Sequence, residues 1–149
     1  MKNEKNKLGA GFTVIELTVA IAIIAVLSTV ITSGVMTYIT KGKNTAIKGN
    51  MVSLATYGGT YFLDGNNTYT DFCDDPKSEE FLAEIKRING DGIANCFSSE
   101  DNWCAKVGLV TTITVTKQKP VFCVDSIGTK KEGQSQNVNC SLLSGYRCQ

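Results

Sequence analysis

Gly11-Phe12-Thr13-Val14-Ile15-Glu16-Leu17-Thr18-Val19-Ala20-Ile21 places one carboxylate inside an otherwise uncharged apolar segment, directly after a short basic leader. Glu16 is the only charged side chain in the 29 residues from Phe12 to Thr40. As a helix rising about 1.5 Å per residue this segment reaches roughly 43 Å, enough to cross a hydrocarbon core about 30 Å thick. A carboxylate in such a span costs about 2.5–3.5 kcal/mol at its centre and less near an end, so Glu16 calls for a functional partner.

Upstream, Lys2, Lys5 and Lys7, partly offset by Glu4, make a polar leader over residues 1–11. A cleaved secretory signal has a shorter apolar core and a small-residue cleavage site after it; here the only Ala-x-Ala, Ala20 to Ala22, falls inside the apolar run. Lysines do not orient the segment, because Lys41, Lys43 and Lys48 follow it as closely as the leader lysines precede it. Cysteines do. All six (Cys73, Cys96, Cys104, Cys123, Cys140 and Cys148) lie beyond it, with no CxxC and no histidine in the chain, which favours disulfides over zinc and an oxidising compartment for the C-terminal part.

Downstream, Ile47, Met51, Leu54, Ala55, Gly58, Tyr61 and Phe62 recur on one helical face, so the helix turns amphipathic and needs a sheet to cover its stripe. No proline interrupts Phe12 to Phe62; Ser33-Gly34, Gly42 and Gly58-Gly59 are its expected weak points. Asp64-Gly65-Asn66-Asn67 ends it. Asp75-Pro76 offers an N-cap with proline at the first helical position, and Phe81, Leu82, Ile85 and Ile88 form the stripe of a second helix ending at Asn89-Gly90. The β-branched stretch from Val107 to Thr116 is expected as a strand, with Leu109, Ile113 and Val115 on one face. Val121 to Asp125 is expected as its antiparallel partner, and Ser126 to Gln136 as a loop.

Gly11-Phe12 followed by Glu16 and an uninterrupted apolar run resembles the N-terminus of type IV pilins and the pseudopilins of type II secretion. The resemblance covers about 30 residues and ends near Ile31. It implies that a prepilin peptidase cuts between Gly11 and Phe12, that Phe12 becomes the N-methylated first residue, and that Glu16, then fifth, serves subunit assembly. Thr13-Val14-Ile15 varies the family's usual small-then-aliphatic run conservatively, and the helix-interior proline of many members is absent. The implied fold is α+β and type IV pilin-like, a long N-terminal α-helix packed on a small, disulfide-stapled antiparallel β-sheet. Leader 1–11 would be removed, 12–40 would form the transmembrane and filament-core helix, 41–63 its amphipathic continuation, and 64–149 an extracytoplasmic globular head. The precursor would wait in the cytoplasmic membrane as a single-pass protein, then join a homo-oligomeric helical filament at the cell surface or in the periplasm through the pilus or secretion assembly machinery. A pseudopilin of a type II secretion or DNA-uptake system is the alternative within the family. A monomeric signal-anchored binding domain is the alternative outside it.

Charge physics supplies a role for Glu16. Cleavage would create an amine at Phe12, which an incoming subunit could set beside the glutamate of its neighbour, and breaking such a buried pair costs about 3–5 kcal/mol. A carboxylate snorkelling at the membrane edge is the plainer account. Six cysteines allow fifteen pairings, among which sequence does not choose; the resemblance implies Cys140 with Cys148, closing a small C-terminal loop as in many pilins, and Cys73 with Cys96 and Cys104 with Cys123 stand beside it as candidate pairs that nothing in the sequence selects.

Nothing points to an enzyme: there is no histidine, no nucleophile elbow and no phosphate-cradling loop. Asp71, Asp74, Asp75, Glu79 and Glu80, or Asn89-Gly90-Asp91-Gly92, could hold calcium, but neither has the spacing of a complete calcium loop, and capping and solvation explain them better. Asp125 is expected to cap a turn. Fifteen basic and fourteen acidic residues leave a net charge of +1 and no global field for nucleic acid, and Lys117, Lys119, Lys130 and Lys131 fit a solvated loop better than an anion-binding patch. Tyr57, Tyr69, Trp103 and Tyr146 are expected mostly to pack rather than to serve as adhesive contacts.

Overall fold

A computed structural model of the chain describes residues 11–65, 67–111, 119–141 and 145–149. The chain forms two compact units, Met1–Met36 and Thr37–Gln149. Among the described residues the elements are α1 (Val14–Asp64), a 3-10 turn η1 (Phe72–Asp74), α2 (Pro76–Asn89), and strands β1 (Ala94–Ser98), β2 (Trp103–Gly108), β3 (Pro120–Asp125) and β4 (Lys130–Gln134). The architecture is α+β, with a long N-terminal helix, a four-stranded antiparallel sheet in the order β1-β2-β3-β4, and three disulfides. The expected leader lies outside the described residues, apart from Gly11.

In the first unit the helix is apolar on every side and its large side chains stand exposed, Leu17 at 60%, Ile24 at 61% and Val26 at 66%. Among the described residues no single helix is long and apolar enough to cross a membrane; Val14–Thr29 and Gly34–Asp64 meet that test as a pair.

In the second unit α1 buries the expected stripe. Ile47, Met51 and Leu54 are fully buried against Trp103, Ala105, Val107, Phe122 and Val124 of the sheet. Gly58 is no weak point here: a Cβ on it would lie 2.8 Å from Cζ2 of the buried Trp103 indole, so the missing side chain lets helix and strand meet. Two polar contacts reinforce the packing. Asn44 exchanges hydrogen bonds with the Val110 backbone, and Lys48 pairs with Glu132 of β4 at 2.6 Å. α2 starts and stops as its sequence dictates: the Asp75 carboxylate accepts from Lys77 N and Ser78 N, Pro76 opens the first turn, and Gly90 ends the helix at φ 70°.

The sheet departs from expectation in three places. β2 spans Trp103–Gly108 instead of starting at Val107, and residues 112–118, which hold the second half of the expected strand, lie outside the described residues. β2 was hidden because it is buried on both faces and so lacks a two-residue alternation. β4 occupies part of the expected Ser126–Gln136 loop. Its Lys-Lys-Glu-Gly-Gln sequence has no apolar face, since an exposed edge strand is held by ladder hydrogen bonds to β3. β1, short and anchored by Cys96, lies between α2 and β2, where no strand was expected.

Of the expected disulfides, Cys73–Cys96 is present. Cys140–Cys148 and Cys104–Cys123 are not; the pairs are Cys104–Cys140 and Cys123–Cys148. The register explains the exchange. Cys104 faces Asp125 and Cys123 faces Lys106, so the two strand cysteines share a face without being directly opposed. That face is turned away from α1, and Val138, Cys140 and Cys148 pack on it, forming a second small core with Cys104, Val121 and Cys123.

Candidate functional site

The helix carrying Glu16 begins at Val14, which makes Thr13 its N-cap and Glu16 the third helical residue. Thr13 N donates to Glu16 Oε2 at 2.9 Å, Thr13 Oγ1 donates to the same oxygen at 2.9 Å, and Glu16 N donates back to Thr13 Oγ1 at 3.3 Å. This is a reciprocal capping box: two backbone N–H groups that a helix start leaves without partners are satisfied, and the carboxylate sits at the positive end of the helix dipole. The signal was present as Thr13-x-x-Glu16 before an apolar run, and it adds a local role for Glu16 to its proposed intersubunit one.

Just upstream, Phe12 is 86% exposed and Gly11 is exposed too. A Cβ on Gly11 would meet none of the described residues within 4 Å, and its φ lies outside the left-handed region. Among the described residues, neither crowding nor backbone conformation therefore demands glycine at this position. The structure thus brings Gly11, Phe12, Thr13 and Glu16 together at one helix start, the first two uncovered and the last two locked to each other.

The remaining candidates sit in the head. Asp75 is committed to α2 and to Tyr57, whose hydroxyl donates to Asp75 Oδ2 at 2.8 Å. Burial first, then this hydrogen bond and the nearby carboxylate charge, push the Tyr57 hydroxyl up to about 12. Asp71, in left-handed backbone, precedes η1 while Asp74 ends it, and Glu79 and Glu80 are exposed on α2. In the second candidate loop, Asn89 Oδ1 accepts from Gly92 N and its amide donates to the carbonyls of Ile93 and Gly108. Asp125, 2% exposed, accepts from Thr129 N at 2.8 Å through Oδ1, closing the expected turn, and from Cys148 N at 3.1 Å through Oδ2.

Trp103 and Tyr69 are core residues, Tyr57 and Tyr146 are half-buried, and Phe72 links Tyr57, Tyr61, Tyr69 and Trp103 into one aromatic cluster. Lys130 and Lys131 are exposed on β4, whereas Lys117 lies outside the described residues. Comparison with protein-family models, with curated proteins and with solved structures finds no match to this chain.

Proposed function

We propose that this chain is a structural subunit of a type IV pilus-like filament, made as a prepilin, cut between Gly11 and Phe12, methylated at Phe12 and assembled through its N-terminal helix. The observation that carries the proposal is Glu16, the single carboxylate between Phe12 and Thr40, at the start of a helix whose described large apolar side chains in the first unit stand exposed. An exposed, continuous apolar surface of this kind calls for cover by lipid or by other helices. A filament built as a bundle of Phe12–Thr40 helices supplies the second after membrane residence has supplied the first. Gly11 supports processing, because no described residue around it requires glycine and a peptidase recognising a small residue would. The disulfide-linked head fits an extracytoplasmic location.

The test is N-terminal mass determination on the subunit recovered from sheared surface fractions. A chain starting at N-methyl-Phe12 within filaments is the expected result. An intact leader on a monomeric membrane protein would overturn the proposal and leave the signal-anchored domain in its place.

A further inference from the structure

The four cysteines behind the sheet form two bridges in one buried cluster, and their arrangement bears on how the head is made. Asn139 and Gln149 exchange backbone hydrogen bonds at 3.0 and 3.1 Å. Cys140 and Cys148 are the next residues inward from that pair, yet neither bonds the other: Cys140 is bridged to Cys104 on β2 and Cys148 to Cys123 on β3. The native bridges close sequence separations of 36 and 25 residues, whereas Cys140 and Cys148 are eight residues apart. From loop-closure entropy alone the local pair should meet about five- to tenfold more often in the unfolded chain. Cys96 and Cys104 are also eight residues apart, so Cys73–Cys96 has a local competitor of its own; once Cys73–Cys96 is closed, Cys140–Cys148 is the most local pair among the four cysteines that remain.

We propose that the head matures through a transient Cys140–Cys148 bridge, accompanied by Cys104–Cys123, and that the native pair arises by thiol–disulfide exchange with a disulfide isomerase as partner. The isomerase thiolate attacks Cys140, forming a mixed disulfide and releasing the Cys148 thiolate. Cys148 attacks Cys123, forming Cys123–Cys148 and releasing the Cys104 thiolate. Cys104 attacks Cys140 in the mixed disulfide, forming Cys104–Cys140 and returning the isomerase thiolate. Two disulfides enter and two leave, so no net oxidant or reductant is consumed. Burial of both native bridges in the second core, with Asp125 holding the Cys148 backbone, favours the product.

The experiment is oxidative refolding of the full-length reduced chain in detergent, quenched with N-ethylmaleimide and mapped by mass spectrometry of unreduced digests. Glu100 and Arg147 offer cuts that separate Cys96 from Cys104 and Cys140 from Cys148. Early samples should contain Cys140–Cys148, and a CxxC isomerase should speed its conversion at least fivefold over an active-site-dead isomerase. Direct appearance of both native bridges, at equal rates with either isomerase, would overturn the proposal. A C104S/C123S double variant gives a readout that survives loss of the fold: Cys140–Cys148 should close in it, and two free thiols there would equally overturn the proposal.

Discussion

Asn44 and Val110, 66 residues apart in the chain, exchange two hydrogen bonds: Asn44 Nδ2 donates to Val110 O at 2.9 Å and Val110 N donates to Asn44 Oδ1 at 2.7 Å. A side-chain amide on α1 thus takes the place of a neighbouring strand for the residue that follows β2 by two. Asn44→Ala leaves a part-buried donor and acceptor without partners and should lower the stability of the head by about 1–3 kcal/mol. Asn44→Asp keeps the acceptor alone and should fall between the two. Urea unfolding followed by Trp103 fluorescence, at unchanged denaturant slope, measures both.

Glu16 has a helix-capping role and a proposed charge role, and one substitution separates them. Glutamine serves the third helical position of a capping box as glutamate does, so Glu16→Gln should keep the helix start while removing the charge available to a neighbour's amine. Filament yield from Glu16→Gln should fall as far as from Glu16→Ala if charge pairing drives assembly. Thr13→Val, which loses the cap and keeps the carboxylate, should assemble better than either. Wild-type yield from Glu16→Gln, with loss in Thr13→Val, would assign Glu16 to the cap alone.

Gly58→Ala should destabilise the head although alanine is the better helix former. The gain of about 1 kcal/mol in helix propensity is outweighed by about 1–3 kcal/mol for forcing a methyl against the fixed Trp103 ring. Gly59→Ala, with nothing within 4 Å of its Cβ, should be stabilising. Thermal unfolding of the two neighbours should therefore shift in opposite directions.

Tyr57 ties α1 to the start of α2 through Asp75, and its pKa sets a pH window. The hydroxyl is raised from 10 to about 12, so the unfolded chain loses this proton first. The linked stability is present in full below pH 10 and is lost as pH rises towards 12. Tyr61 and Tyr69 are raised as well, chiefly by burial, and act in the same direction. Tyr57→Phe should flatten, without abolishing, the alkaline loss of stability, and absorbance of tyrosinate near 295 nm should show one fewer late-titrating hydroxyl.

The helical half of the fold was legible because its signals are local. The stripe from Ile47 to Phe62 and the Asp75-Pro76 to Asn89-Gly90 limits of α2 each follow from spacing and capping. The sheet was less so. β2 has no polar face to mark it, β4 has no apolar one, and their positions depend on partners tens of residues away. Cysteine pairing failed for the same reason: adjacency along the chain favoured Cys140–Cys148, while the register of β2 on β3 and the cover laid over them decided otherwise. At the candidate site the charge anomaly of Glu16 was readable, whereas its bond to Thr13 was written in the sequence and passed over.

Because one side of the sheet packs on α1 and the other on Val138 and the cross-linked Cys140 and Cys148, its described strands have little bare surface to lend to a neighbour. Its β1 margin lies against η1 and α2, and its β4 margin carries Lys130 and Lys131. Lateral strand-to-strand accretion is discouraged on both margins. Crowded together at high local density, such heads keep their individual sheets, and their mutual contacts fall to helices and turns.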